Sequence, residues 1–324
     1  MRKLKAVNVG VLFTVILCCW AINNAWAANN ITRSQILEDI HHLAADDKAG
    51  REPDTPGHAK AANYLRQRYQ ELDLVPLQQH FSHPFTFTHN MVKKRGTNIV
   101  GEIRGTTSPD KFIVFTAHYD HLGQQGRRIF NGADDNASGV AVMLAVAEHF
   151  AASGAAHSLL FVATDAEESG LHGAIALLNE PTIRDKNLVI NINLDMLGNG
   201  GRKQILFMLA QGLRGNVDST LTAIPTLSSL PIRLSINPRR LYRDAGKRNA
   251  RSGWQQVSDH HAFSDAGIPY LFFASDVHAH YHQDSDTPEH ISAQFVTAAA
   301  QAVIAVATFI DSRPNAVLLS ARDS

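Results

Sequence analysis

Cysteine is almost absent from this sequence, and both of its cysteines stand near the start. Cys18 and Cys19 are the only two among 324 residues, and they fall inside the first 27. If that segment is removed, the remaining chain has no thiol, which excludes disulfides, a cysteine nucleophile and cysteine ligands for zinc. Any metal ion must then be held by histidine and carboxylate side chains.

Long apolar runs are few, and one of them lies in the same N-terminal segment. A basic start, "MRKLK", precedes an apolar run from Val9 to Ile22, and "AWA" follows at Ala25 to Ala27. This order is typical of a secretory signal peptide. The run is shorter than the about 20 residues that a bilayer span needs, although a retained N-terminal membrane anchor is the alternative. We therefore expect residues 1–27 to be removed and residues 28–324 to form one exported domain, periplasmic or secreted, without stable membrane insertion.

An excess of charge of either sign is absent as well. The 30 basic and 30 acidic residues balance, and loss of the first 27 residues removes three basic side chains, which leaves a net charge of about minus three. Domains that bind nucleic acid usually carry a strong basic excess, so we expect no nucleic-acid partner. One stretch is locally basic, with six basic residues between Arg239 and Arg251, inside an inserted or extended loop region near 212–253. It is either a solvated loop or a surface that selects acidic substrates or partners.

Four short apolar runs predict strands that are buried on both faces. They are "FIVFTA" from Phe112, "SLLFVAT" from Ser158, "LVININL" from Leu188 and "YLFFAS" from Tyr270. Helical patterns lie before, between and after them, over residues 34–45, 59–72, 140–150 and 291–310. Apolar strands that alternate with helices indicate an α/β sheet with helices on both faces.

Side chains that bind metal ions follow each of these runs. His118 and Asp120 come after the first, Glu167 and Glu168 after the second, Asp195 after the third and His282 after the fourth. The carboxyl ends of parallel strands meet at one edge of a sheet, so these side chains should share one crevice. A mixture of histidine and carboxylate suits hard and borderline cations, zinc among them.

An aspartate pair, Asp134 and Asp135, stands in "GADDNASGVA" at the start of an apolar helix. Two adjacent carboxylates are costly in a buried setting unless a cation or strong donors compensate their repulsion. The charge count favours two ions over one. Two divalent cations bring four positive charges, and the carboxylates of Asp135, Glu168 and Asp195 together with one hydroxide would neutralise them.

Taken together, the motifs resemble those of the co-catalytic di-zinc aminopeptidases, peptidase family 28 of metallopeptidase clan MH. The segments that carry the resemblance are "LAADDKAGREPDTPGHAKAANYL", "NIVGEIRG", "AHYDHLG", "GADDNASGVA", "DAEESGLHGA", "NLDMLG", "SDHHAFSDAGIP" and "HQDSDT". The resemblance implies a three-layer α/β/α sandwich with a mixed, mostly parallel central sheet. It also implies two zinc ions per chain, with cobalt or manganese as possible substitutes, and a peptide as the substrate.

The family pattern implies a role for each ligand-type residue. Asp135 would bridge the two ions. His118 and Asp195 would complete the site of one ion, and Glu168 and His282 would complete the other. His282 is chosen from the three histidines of "HAHYH" because it stands four residues before an Asp-Thr pair, as the family's ligand usually does.

Four further residues lie outside this ligand set. Glu167 would be the general base, which takes a proton from the attacking water and returns it to the leaving amine. Asp120 would accept a hydrogen bond from the ring nitrogen of His118 that does not bind metal. Asp134 would support the ligands or shape the loop, and Tyr281 would either stabilise the oxyanion or serve only in packing.

The predicted function is the removal of N-terminal amino acids from peptides by a zinc exopeptidase. The family's fold also supports carboxypeptidases and glutaminyl cyclases, so these two activities are the alternatives. A more remote alternative is a binding ectodomain without catalytic activity. The presence of all five ligand residues and the base in the sequence argues against it.

Overall fold

The structure is a computed structural model that describes residues 33–212, 224–236 and 257–312. The predicted signal segment 1–27 and the basic stretch Arg239–Arg251 lie outside these ranges, as does most of the loop region near 212–253. Within the described ranges, the strands form a nine-stranded sheet and a separate two-stranded one.

Seven α-helices are present in the described ranges. They are α1 (33–43), α2 (Pro56–Glu71), α3 (Gly139–Ser153), α4 (His172–Asn179), α5 (Pro181–Arg184), α6 (His260–Asp265) and α7 (Ala293–Ser312). The four helices predicted from the sequence correspond to α1, α2, α3 and α7. Helix α2 begins earlier than predicted because the Thr55 hydroxyl accepts a hydrogen bond from the amide of His58, and Pro56 suits the first helical turn.

The large sheet is mixed, with a parallel centre. The strands are β1 (Val75–Pro76), β2 (Ser82–His89), β3 (Val92–Ile103), β4 (Ser108–His118), β5 (Gln124–Gln125), β6 (Arg128–Ile129), β7 (His157–Thr164), β8 (Asn187–Asp195), β9 (Ile205–Gln211), β10 (Arg233–Ser235) and β11 (Tyr270–Ala274). The order is β1-β3-β7-β4-β8-β11-β9-β10, with β2 paired to β3, while β5 and β6 pair separately. The central strands β7, β4, β8 and β11 run parallel, and β3 and β9 are antiparallel to their inner neighbours. These four central strands are the ones predicted from the apolar runs.

Side chains alternate between the two faces of the sheet, and each face packs on its own helices. In β4, Ile113 and Phe115 lie in the core formed with α1, α2, α3 and α7, whereas Phe112 and Val114 lie in the core formed with α4, α5 and α6. Full burial of a side chain such as Phe115 stabilises the fold by about 1.5–3 kcal/mol. The α/β/α sandwich of three layers is therefore confirmed.

A long hairpin, formed by β2 and β3, is absent from the sequence-based prediction. Its turn residues Asn90 and Met91 both have positive φ angles, 49° and 64°, as two-residue hairpin turns require. Phe85 lies opposite Gly96, where an added Cβ would come within 2.3 Å of the Phe85 ring. Strand β3 pairs with β7 only from Ile99 onwards. The earlier residues of β3, together with the residues of β2 that pair with them, therefore extend past the end of β7.

Helix α7 is long and apolar enough to cross a membrane, judged by length and composition. Its buried residues, among them Phe295, Val303 and Ile310, belong to the larger core, and the helix packs against α3. Packing in the core therefore accounts for the apolar face of α7.

Candidate metal centre

The parallel strands bring the predicted ligands to one edge of the sheet. His118 is the last residue of β4, and Asp195 is the last residue of β8. Glu167 and Glu168 follow β7, which pairs with β4 so that Thr164 lies opposite His118. His282 lies in the loop after β11, which pairs with β8 so that Ala274 lies opposite Asp195. The sheet register thus explains why residues from four distant segments meet.

The first group of candidate ligands surrounds the Nε2 atom of His118. This atom lies 3.4 Å from Oδ1 of Asp135 and 3.6 Å from Oδ1 of Asp195. Both distances are too long for good hydrogen bonds, and neither Nε2 of His118 nor Oδ1 of Asp195 has a hydrogen-bond partner among the described residues. Ligand atoms about 2.0 Å from a tetrahedral zinc ion stand about 3.3 Å apart. The spacing and the unpartnered buried atoms fit a cation between these side chains.

The second group surrounds the Nε2 atom of His282. This atom lies 3.1 Å from Oδ2 of Asp135 and 3.3 Å from Oε2 of Glu168. One oxygen of Asp135 therefore faces His118 and the other faces His282. The two groups of side chains therefore share Asp135.

A wide turn, Ala133–Ser138, holds Asp135 before the start of α3. The buried carboxylate of Asp286 accepts hydrogen bonds from the amides of Asp134 at 2.9 Å and Asp135 at 3.0 Å. Asn136 donates to the carbonyl of Leu194, the residue before Asp195, at 3.0 Å. The turn is thus tied both to the end of β8 and to the loop that carries His282.

Asp134 lies outside both ligand groups and connects two loops. Its Oδ1 atom accepts from the amide of Gly198 at 2.6 Å and from the hydroxyl of Ser138 at 3.0 Å. Its Oδ2 atom lies 2.7 Å from Nε2 of His278, whose side chain is only 12% exposed. No role for His278 follows from the sequence, in which it is the first histidine of "HAHYH". In the structure it anchors the loop after β11.

The position of Asp120 differs from the expectation. Nδ1 of His118 lies 3.6 Å from the Asp120 carboxylate but 3.3 Å from its main-chain carbonyl oxygen. The carboxylate instead accepts from the amides of Glu167 at 3.1 Å and Glu168 at 3.3 Å. Asp120 therefore fixes the backbone of the turn that carries both glutamates.

The two adjacent glutamates differ in their electrostatic surroundings. Burial raises the pKa of Glu167 well above its ordinary value, and the carboxylates of Glu168 and Asp195 add to this against the opposing charge of His118. Burial also acts to raise the pKa of Glu168, but hydrogen bonds from His121 and His282 help to lower it to about 2. Glu168 is therefore suited to be an ionised ligand, and Glu167 is a stronger base than an ordinary glutamate.

Tyr281 packs directly on the neighbouring histidine. Its ring is stacked on that of His282, with centroids 3.9 Å apart and planes inclined by 23°. This contact orients the His282 ring, as the packing interpretation of Tyr281 predicts. The oxyanion role of its hydroxyl stays a prediction.

Two buried residues near the site have no assigned role in the sequence-based interpretation. His121 places Nδ1 2.9 Å from Oε1 of Glu168. Arg51 is fully buried and donates hydrogen bonds to four main-chain carbonyls, those of Leu43, Tyr119, Asn131 and Gly132. His121 lies in the motif "AHYDHLG", and Arg51 lies in "LAADDKAGREPDTPGHAKAANYL". The position of each residue within its motif does not predict the contacts that it makes.

Comparison with known proteins shows the family to which the chain is related. Residues 98–307 match the model of peptidase family M28. A glutamate carboxypeptidase 2 homolog from Caenorhabditis briggsae is 27% identical over 235 residues, which cover 62% of this chain and 28% of that protein. The chain therefore matches less than a third of that relative's length.

Solved structures share the fold at low sequence identity. A zinc aminopeptidase from Bacillus subtilis superposes with a TM-score of 0.64 at 18% identity, covering 85% of this chain and 94% of the other. A glutaminyl cyclase from Fimbriiglobus ruber gives a TM-score of 0.68 at 20% identity, covering 86% and 95%. At these identities the likeness establishes the α/β/α fold, which can support more than one reaction.

Proposed function

Because the chain belongs to peptidase family M28, we propose that it is an exported, zinc-dependent aminopeptidase that releases N-terminal residues from peptides. The observation that carries this proposal is the position of Asp135, whose two oxygens face His118 and His282 at 3.4 and 3.1 Å. A carboxylate shared between two ligand groups is what a two-ion hydrolytic site needs. Export rests on the signal-like pattern of residues 1–27.

Five side chains would hold two zinc ions. His118 and Asp195 would hold the first ion, Glu168 and His282 would hold the second, and Asp135 would contact both. When bound, zinc ions activate a water molecule and polarise the scissile carbonyl group. Cobalt or manganese would also suit these donors.

Glu167 would move the proton in the reaction. Its carboxylate stands at the edge of the first ligand group, with Oε2 3.9 Å from Nε2 of His118, and its backbone is held by Asp120. From there it would accept the proton of the attacking water and deliver it to the leaving amine. The Tyr281 hydroxyl is the proposed donor to the oxyanion.

The charges around the site offer no described partner for a substrate carboxylate. Arg51, a fully buried cation near the site, directs its donors to main-chain carbonyls, so its guanidinium is not available to such a group. The basic stretch Arg239–Arg251 lies outside the described residues. A test of the function must therefore measure release from both ends of a peptide.

The decisive measurement is product analysis with three versions of each peptide: unblocked, N-acetylated and C-terminally amidated. We expect the protein to release N-terminal residues from the unblocked and amidated peptides and to leave the acetylated ones intact. Cleavage of acetylated but not amidated peptides would instead identify a carboxypeptidase. Formation of pyroglutamate from N-terminal glutamine, without hydrolysis, would identify a glutaminyl cyclase.

Removal of the metal should abolish hydrolysis and destabilise the fold. Asp135, Glu168 and Asp195 are buried together, so without cations their mutual repulsion is offset only by the neighbouring histidines His118, His121 and His282. We expect dialysis against a chelator to remove two zinc ions per chain, measured by elemental analysis, and to lower the thermal midpoint. Zinc at 100 times its dissociation constant should restore about 2.7 kcal/mol per ion. A midpoint unaffected by zinc would contradict the site.

A further inference from the structure

His121 is buried beside the proposed metal site and has no part in the reaction described above. Its side chain is 0% exposed, and Nδ1 lies 2.9 Å from Oε1 of Glu168. An ionised carboxylate only accepts hydrogen bonds, so Nδ1 of His121 must carry the proton in this contact. The contact therefore fixes the ring tautomer of His121 as well as the orientation of Glu168.

The two oxygens of Glu168 have separate partners. Oε1 faces His121, whereas Oε2 lies 3.3 Å from Nε2 of His282, the other proposed ligand of the second ion. A carboxylate that can rotate freely could instead turn either oxygen, or both, towards an ion. With Oε1 engaged, only Oε2 is presented to the second ion.

The orientation of His121 is set by contacts that do not involve an ion. Its amide donates to the carbonyl of Arg51 at 3.3 Å. Its ring packs so closely on Gly132 that an added Cβ there would stand 2.6 Å from Cγ and Cδ2 of the histidine. The ring also meets His282 edge to face, with centroids 5.9 Å apart. His121 is thus a preformed donor in the fold.

We propose that His121 is a positioning residue for the second metal ion, because it holds Glu168 with a single oxygen directed at that ion. The inference rests on the proposed function, since it takes Glu168 and His282 as ligands. Partners that orient metal ligands commonly contribute 10- to 100-fold to metal affinity, so loss of this contact should weaken one ion by about that factor.

A different role for His121 is a direct metal ligand. Its ring, Asp135 and Glu168 offer ligand atoms that all lie within 4.8 Å of one another, and its Nε2 atom has no hydrogen-bond partner among the described residues. The short contact of Nδ1 with Glu168 and the place of His282 between Glu168 and Asp135 favour the positioning role. Substitutions can separate the two, because asparagine retains a donor near the position of Nδ1.

The test compares the zinc affinities of variants of the exported protein in the absence of peptide. Metal-free wild type, His121→Asn, His121→Leu and His121→Ala are titrated with zinc against a chromophoric chelator, and circular dichroism checks that each is folded. His149→Leu on α3, remote from the ligand groups, is the matched control. The donor-free variants, His121→Leu and His121→Ala, both lack the hydrogen-bond donor but differ in side-chain volume. If one of them fails to fold, the other can still be measured.

We expect His121→Leu and His121→Ala to bind one ion as tightly as the wild type and the other about 10- to 100-fold more weakly. His121→Asn and the control should bind both normally, and kcat of the donor-free variants should recover at saturating zinc. Unchanged zinc affinity in the donor-free variants would overturn the proposal. So would an asparagine variant that loses the second ion as completely as they do, which would make the ring itself a ligand. A wild-type protein that binds fewer than two ions would contradict the proposed function before any variant is compared.

Discussion

Replacing Glu167 with glutamine is expected to lower kcat for peptide hydrolysis by about 10²- to 10⁴-fold, the usual contribution of a positioned general base. Glutamine has the same shape and can occupy the same buried space, but it cannot accept the proton of the attacking water. The amide of residue 167 would still donate to Asp120, so the turn that carries Glu168 should keep its position. Zinc binding should therefore be unchanged.

Steady-state kinetics and zinc titration of the same preparation separate the two effects. A fall in kcat at normal zinc content supports the role of Glu167 as the base. Glu148→Gln, on α3 and outside the ligand groups, provides a control for loss of a glutamate charge. Wild-type kcat in Glu167→Gln would remove Glu167 from the mechanism. A variant that loses zinc would show that the residue supports the ligands instead.

Replacing Arg51 with methionine is expected to destabilise the protein by more than about 3 kcal/mol. The guanidinium donates to four buried carbonyl groups, which lie at the end of α1, after β4 and before the turn that carries Asp135. Hydrogen bonds to charged groups contribute about 1.5–3 kcal/mol each, and a carbonyl left buried without a partner adds a penalty of similar size. Methionine retains much of the apolar volume and none of the donors.

Urea denaturation measures the loss of stability of Arg51→Met. The urea concentration at the midpoint should fall, while the slope of the free energy of unfolding against urea concentration should stay the same. Arg51→Lys should fall between methionine and the wild type, because an ammonium group retains the charge but lacks the planar arrangement of donors. Arg184→Met, at an exposed position at the end of α5, should shift the free energy of unfolding by no more than about 0.5 kcal/mol. An unchanged midpoint in Arg51→Met would contradict this prediction. It would mean that water satisfies the four carbonyl groups with no loss of stability.

The strands at the centre of the sheet could be predicted from the sequence, because burial determines which residue types they contain. Strands covered on both faces are mainly apolar, as β7 is between its polar ends His157 and Thr164. The outer hairpin could not be predicted in this way. Its strands β2 and β3 mix exposed and buried positions, and much of their order comes from cross-strand contacts such as that of Phe85 with Gly96.

The candidate ligands could be predicted for a related reason. Each of His118, Glu168, Asp195 and His282 follows a predicted strand, and parallel strands end at a common edge. The hydrogen bonds that hold these candidate ligands in place could not be predicted in this way. Asp120 illustrates the difference: the family resemblance implies a hydrogen bond to the ring of His118, whereas the fold directs its carboxylate to the amides of Glu167 and Glu168.

The sequence by itself determined the α/β class, the strands at the centre of the sheet and the set of side chains able to bind metal, because each depends on local composition and on the direction of strands. Only the tertiary structure decided what surrounds that set. The clamp of Asp286 on the aspartate turn, the four bonds of Arg51 and the contact of His121 with Glu168 join residues that are 8 to 152 positions apart. Such hydrogen bonds depend on the distance and direction of individual atoms in the folded chain, and these leave no periodic pattern in the sequence.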